Sequence, residues 1–187
     1  MSSFKQVAFT AQALSARPLM EQLQRIVTVT KPDLLVLREK DISDESYQAL
    51  AQQVQHFCQQ QGVVFFCNGH VSQARAIRCK RIQLGMPDWE SYAGHLGDFE
   101  EVWVSVHSLE EAQRAAAQGA HALIFGHVYL TDCKKGLPAR GIDQLRDIVA
   151  AVNIPVYAIG GIESRHMGDL QRAGAAGACR MSYWMKI

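Results

Sequence analysis

Nowhere in these 187 residues do about eighteen apolar residues run together, so no segment reads as a membrane-spanning helix. The opening stretch, MSSFKQVAFTAQALSARP, has no long apolar core with a cleavage site, so a secretory leader is not expected. Cysteine is sparse: Cys58, Cys67, Cys79, Cys133 and Cys179 are odd in number and contain no C-x-x-C pair, which argues against both a disulfide framework and a zinc site. The seven histidines lack spaced partners and form no metal motif either. Neither sign of charge is in excess: 19 basic residues stand against 18 acidic ones, for a net charge of +1, and Cys79-Lys80-Arg81 is too short to be a basic face. Nucleic-acid and membrane partners are therefore not expected, and the cytoplasm is the expected compartment.

What is present is a chain that is 48% hydrophobic, enough for a sizeable core, and of a length that predicts one domain over residues 1–187. Eight short apolar runs read as strands: Val7–Thr10, Leu34–Leu37, Val63–Cys67, Ile82–Leu84, Val102–Val106, Ala122–Val128, Pro155–Ile159 and Ala178–Met181. Between them lie segments of helical period, chiefly 17–30, 43–61, 143–152 and 164–173, with a weaker one at 89–96. Ser108-Leu-Glu-Glu111 reads as a capping box opening a helix through Gln118. Continuous apolar runs alternating with helices predict a parallel (β/α)8 TIM barrel, ahead of an open doubly wound sheet. Only six residues follow Met181, so the last helix is expected to be missing or truncated, with a second copy of the chain covering the incomplete ring.

In such a barrel the carboxyl ends of the strands carry the chemistry. Polar residues close the apolar runs there: Arg38-Glu39-Lys40, Asn68-Gly69-His70, Ser105 and His107, His127, Gly160-Gly161, and Arg180-Met181-Ser182. The two glycines of AIGGI admit two readings, close approach of bare amides to a phosphate or a tight turn against a packed helix. His127 is either a hydrogen-bonded structural residue or a proton shuttle, for which an ordinary pKa of about 6.5 is suited. His107 is a second acid or a packing residue, and His56, His95, His121 and His166 read as structural or exposed. Arg38, Lys40, Lys134 and Lys135 suggest an anionic ligand, with Glu39 placed to neutralise a neighbour. Cys133 has no base implied beside it and reads as a small buried residue rather than a nucleophile.

The motifs FGHVYLTDCKKGLPARG (125–141), LREKD (37–41), CNGH (67–70), VSVHSLEEA (104–112), IPVYAIGGI (154–162) and AGAAGACRMS (173–182) resemble the thiamine-phosphate synthase/TenI superfamily, most of all its TenI branch. The resemblance implies a cofactor-independent thiazole tautomerase of thiamine biosynthesis that aromatises a thiazole carboxylate phosphate, with His127 as acid and base. It also implies phosphate binding by Gly160, Gly161, Met181 and Ser182, and substrate binding by Ser105, His107, Lys134, Arg38, Lys40 and Asn68, with no metal. The alternatives are a synthase, which joins an aminopyrimidine diphosphate to a thiazole phosphate with magnesium, and a non-catalytic binder of such a phosphate. Gly69 stands where synthases carry a metal-binding aspartate, His127 where they carry proline and Cys133 where they carry threonine. Asp88 is the one remaining counterpart of a metal carboxylate, and Arg180 occupies a usually apolar position.

Overall fold

A computed structural model describes residues 4–134 and 136–187, so Lys135 and the side chain of Cys133 lie outside the described residues. Eight parallel strands pair in chain order and the last returns to the first, giving a closed barrel. They are β1 (Lys5–Phe9), β2 (Leu34–Leu37), β3 (Val64–Asn68), β4 (Arg81–Gly85), β5 (Glu101–Val106), β6 (Ala122–Gly126), β7 (Val156–Ile159) and β8 (Gly177–Arg180). The eight α-helices among the described residues are α1 (Leu19–Val29), α2 (Asp44–Gln61), α3 (Val71–Ala76), α4 (Met86–Ser91), α5 (Leu109–Ala117), α6 (Gly141–Ala151), α7 (Met167–Arg172) and α8 (Ser182–Lys186).

Side chains alternate across each strand, which sorts the core into two layers. Val7, Phe9, Val36, Phe66, Trp103, Ile124, Tyr157 and Cys179 pack with one another inside the barrel. Their neighbours Ala8, Leu35, Val104, Phe125 and Ala158 pack instead against helix residues such as Leu23, Ile26, Val54 and Leu145. Both faces of a strand are thus buried, which is why the strands appear as unbroken apolar runs. Trp103 stacks on Tyr157 at 4.2 Å and meets Phe66 at 4.5 Å, an aromatic layer that plugs the barrel. The interior is a packed core, with one cavity above it at the carboxyl ends and a smaller one of about 510 Å3 below it at the amino ends, lined by Lys5, Asp33, Arg81 and Glu101.

Two expectations need correction. Strand β6 ends at Gly126 rather than Val128, because the chain turns away to run over β7: Val128 N donates to Ile159 O at 2.9 Å and Tyr129 N to Gly160 O at 3.0 Å. The capping box is also only half formed. Ser108 Oγ accepts from Glu111 N at 3.1 Å, but the Glu111 carboxylate returns to His107 N at 2.6 Å instead of to Ser108.

The last helix described is the five-residue α8. Trp184, fully buried, donates from Nε1 to Val7 O at 3.1 Å, and its own carbonyl accepts from Gln22 Nε2 at 2.8 Å. One short helix therefore covers the seam between β8 and β1 and ties it to α1. Among the described residues no helix is long and apolar enough to cross a membrane.

Candidate active site at the carboxyl mouth of the barrel

A cavity of about 1270 Å3 opens over the aromatic plug. Phe9, Ile124, Ile159 and Cys179 form its apolar floor, and every described residue named above as a candidate for substrate, phosphate or proton transfer lies on its wall. Those candidates sit on six different strand ends or the loops that follow them, and barrel closure is what collects them.

The wall on β3 to β5 is a hydrogen-bonded row. Gln83, only 2% exposed, accepts from Asn68 Nδ2 through its Oε1 and donates from Nε2 to Ser105 Oγ at 2.8 Å. Asn68 is also fixed through its backbone, because its N–H donates to Tyr47 Oη at 2.9 Å while that hydroxyl donates to Leu37 O at 2.9 Å. Gln83 was not among the sequence candidates; its signal is one amide in the otherwise apolar strand RIQLG. His70 is not on this wall. It stacks on Tyr47 at 3.9 Å, and its Nδ1 lies 2.9 Å from Asp44, so it holds α2.

His107 stands at the rim with its Nδ1 3.4 Å from the Glu111 carboxylate. His127 is buried at 8% exposure, its Nε2 3.4 Å from Leu137 O. Its carbonyl accepts from Arg140 N at 3.0 Å, and the Arg140 guanidinium donates to Gly126 O at 3.0 Å, so the loop after β6 is clasped from α6.

That loop gives the paired glycines a structural cause. A Cβ on Gly160, whose φ is +98°, would meet His127 Cβ at 2.3 Å, and one on Gly161, at φ +65°, would meet Leu130 O at 2.3 Å. No side chain fits at either position. The first turn beyond them is capped internally: Glu163 accepts from His166 N and donates from its own N–H to His166 Nδ1 at 3.1 Å. The glycine amides lie just outside that cap and beside Met181 and Ser182.

Arg180 is 7% exposed and stacks over Tyr183 at 3.6 Å, with Nη2 donating to Gln6 Oε1 at 2.8 Å. Its Nε has no partner among the described residues, and burial lowers its pKa. Glu39 neutralises neither neighbour in sequence; its carboxylate accepts from Gln12 N at 3.0 and 3.1 Å. Cys58, Cys67, Cys79 and Cys179 are buried free thiols.

The model of the family described as thiamine monophosphate synthase matches residues 7–183. The chain belongs to that family. It is 33% identical over 147 residues to the thiamine-phosphate synthase of Pyrococcus abyssi, spanning 78% of this chain and 71% of that one. It is 30% identical over 151 residues to the thiamine-phosphate synthase of Fusobacterium nucleatum, spanning 80% of this chain and 73% of the relative. Thiamine phosphate pyrophosphorylase from Pyrococcus furiosus superposes with a TM-score of 0.81 at 26% identity, covering 97% of this chain and 87% of that structure. These relatives overturn the expectation of a thiazole tautomerase. That expectation rested on His127 within the 125–141 motif and on the two-glycine loop, with Gly69 and Cys133 counting against a synthase, whereas the similarity to synthases runs through most of the chain.

The magnesium implied by the synthases does not fit the donors present. Gly69 supplies no carboxylate; space is open where its Cβ would be, but its φ of +61° is one that glycine adopts most readily. Asp88, on α4, is an exposed carboxylate on a wall that also carries Asp132 and Glu163, which lie on other loops. Magnesium demands near-ideal octahedral oxygen donors. Among the described residues no group of three or more His, Cys, Asp or Glu could hold a metal ion.

Proposed function

We propose that this chain is a transferase of the thiamine-phosphate synthase type, joining an aminopyrimidine diphosphate to a thiazole phosphate with release of diphosphate. The observation that carries the reading is the match to synthases across residues 7–183, combined with a cavity of about 1270 Å3. Pockets for one drug-sized ligand run to about 300–1,000 Å3, so this one has room for two ring substrates side by side.

In this reading the thiazole phosphate takes the amides of Gly160, Gly161, Met181 and Ser182. Arg38 and Lys40 take the diphosphate, and Asn68, Ser105, His107 and Lys134 line the space between. The thiazole nitrogen attacks the methylene carbon of the pyrimidine, and the carbon–oxygen bond to diphosphate breaks with its electron pair leaving on oxygen. Two contributions are asked of the protein: holding both reactants in line, and cations aimed at the charge that develops on the leaving group. No ring-carbon proton is removed, so His127 serves as a wall against the thiazole phosphate rather than as a proton shuttle. Phosphorylated substrates cross a bilayer poorly, so a cytoplasmic location goes with this reading.

The test supplies both half-substrates and follows thiamine phosphate by chromatography. Product above the buffer rate is expected, and it should saturate in each substrate. Ligand-dependent melting shifts without any product would replace this reading with a non-catalytic binder.

A further inference from the structure

Six lysine and arginine residues line the cavity against three carboxylates. Glu163 pairs with Arg165, one of the six, at 3.1 Å and is held by its cap, which leaves Arg38, Lys40, Lys134, Arg180 and Lys186 against Asp88 and Asp132. Glu39, between Arg38 and Lys40 in sequence, is turned away to Gln12. Arg38 and Lys40 thus both line the cavity, two residues apart, while the residue between them leaves it. Such alternation is what an extended segment imposes. Among the described residues neither Arg38, Lys40 nor Lys134 has an ion-pair partner, and Arg180 adds a buried guanidinium with no carboxylate beside it.

The same wall is poor in metal donors: Gly69 supplies no carboxylate, and among the described residues Asp88, Asp132 and Glu163 form no group that could hold a metal ion. A divalent ion at a diphosphate site lowers the ligand's charge and bridges its oxygens. Guanidinium and ammonium groups perform both tasks, the first by bidentate bonds to phosphate oxygens and the second as a compact point charge.

We infer that this cavity neutralises a diphosphate-bearing ligand with its own fixed cations, Arg38 and Lys40 assisted by Lys134, and needs no divalent ion to hold it. The inference rests on the transferase reading for the identity of its ligand. Fixed cations attract the free, fully charged diphosphate more than its magnesium complex, whose charge is already halved. Added magnesium therefore leaves binding unchanged or weakens it, the reverse of a metal-bridged site.

Titration calorimetry of the full chain with inorganic pyrophosphate, in excess EDTA and again in excess magnesium, tests this. Saturable binding in EDTA is expected, at least as tight as with magnesium. Binding that appears only when magnesium is added overturns the inference, as does no binding in either condition. Lys40 is exposed and carries no core packing, so Lys40→Gln keeps the fold and should weaken pyrophosphate binding about tenfold. The double variant Arg38→Gln with Lys40→Gln should lose about a hundredfold in affinity. A double variant that binds as tightly as the parent removes the assignment. The product assay separates the two claims. Thiamine phosphate formed in EDTA supports both. Product formed only with magnesium, together with pyrophosphate binding that also requires magnesium, sinks the metal-free site and leaves the transferase. Tight pyrophosphate binding in EDTA with no product under either condition does the opposite.

Discussion

Gln83 is the residue on which the mouth of the barrel depends without offering a group to the ligand. Its amide joins Asn68 on β3 to Ser105 on β5, and at 2% exposure it has no water to replace either partner. Gln83→Leu keeps the volume but leaves two side chains on the wall without their bond. A buried polar group that loses its partner costs about 1–3 kcal/mol, so the midpoint of urea unfolding should fall correspondingly. KM for the substrates should rise more than kcat falls, because Asn68 and Ser105 line the cavity. An unchanged KM would mean that the row is structural only. His127 gives the complementary case. Loss of a proton-transfer group costs about 10²- to 10⁴-fold in rate, so His127→Gln retaining at least about a tenth of product formation fits a wall residue. A fall of a thousandfold would restore a proton-transfer role.

At the scale of elements, the five residues of α8 hold the seam between β8 and β1. Trp184 and Met185 are each 1% exposed, and the Trp184 indole donates to Val7 O, so the helix is held by a bond into β1 as well as by packing. Trp184→Ala should cost about 3–5 kcal/mol, the usual range for an aromatic deleted from a core. Because Met181 and Ser182 lead directly into α8, phosphate affinity should fall in the same variant, measured by titration below the unfolding temperature. A drop of less than about 1 kcal/mol in urea unfolding would mean that the seam is held by other contacts. The strands could be read from sequence for the same reason that Trp184 matters: both faces of the barrel wall are apolar, so each strand is a continuous run. Helix α3 escaped, because its six residues leave no room for a helical period. So did Gln83, whose partners lie 15 and 22 residues away on other strands. The cavity residues were legible because polar groups at strand ends stand out against apolar runs. The choice of reaction was not, because one residue in a loop, Gly69 or His127, says less about chemistry than likeness along the whole chain.

For the whole molecule, the buried acids set the response to alkali. Burial pushes the Cys58 thiol from its ordinary 9.0 up to about 12 and the Tyr157 phenol from 10.0 up to about 12. Burial also raises Cys179 and Tyr47, and a hydrogen bond shared with Cys79, joined by burial, raises Cys67. In the unfolded chain these groups lose their protons near their ordinary values, while the fold retains them. The unfolded state then binds fewer protons, so stability falls with rising pH. Their contribution is whole below about pH 9 and is lost progressively towards about pH 12. Cys79 works the other way: its pKa is lowered, chiefly by the hydrogen bond from Cys67, so its contribution is lost as pH falls. One lowered thiol against several raised groups leaves the alkaline trend in charge. The melting temperature should therefore hold between about pH 7 and 8.5 and drop steadily above about pH 9, reversibly on return to neutral. Cys58→Ala removes one of the titrating groups and should make the drop shallower, even though it lowers the starting value. A melting temperature flat to about pH 11 would mean that these thiols and phenols ionise as readily in the fold as outside it.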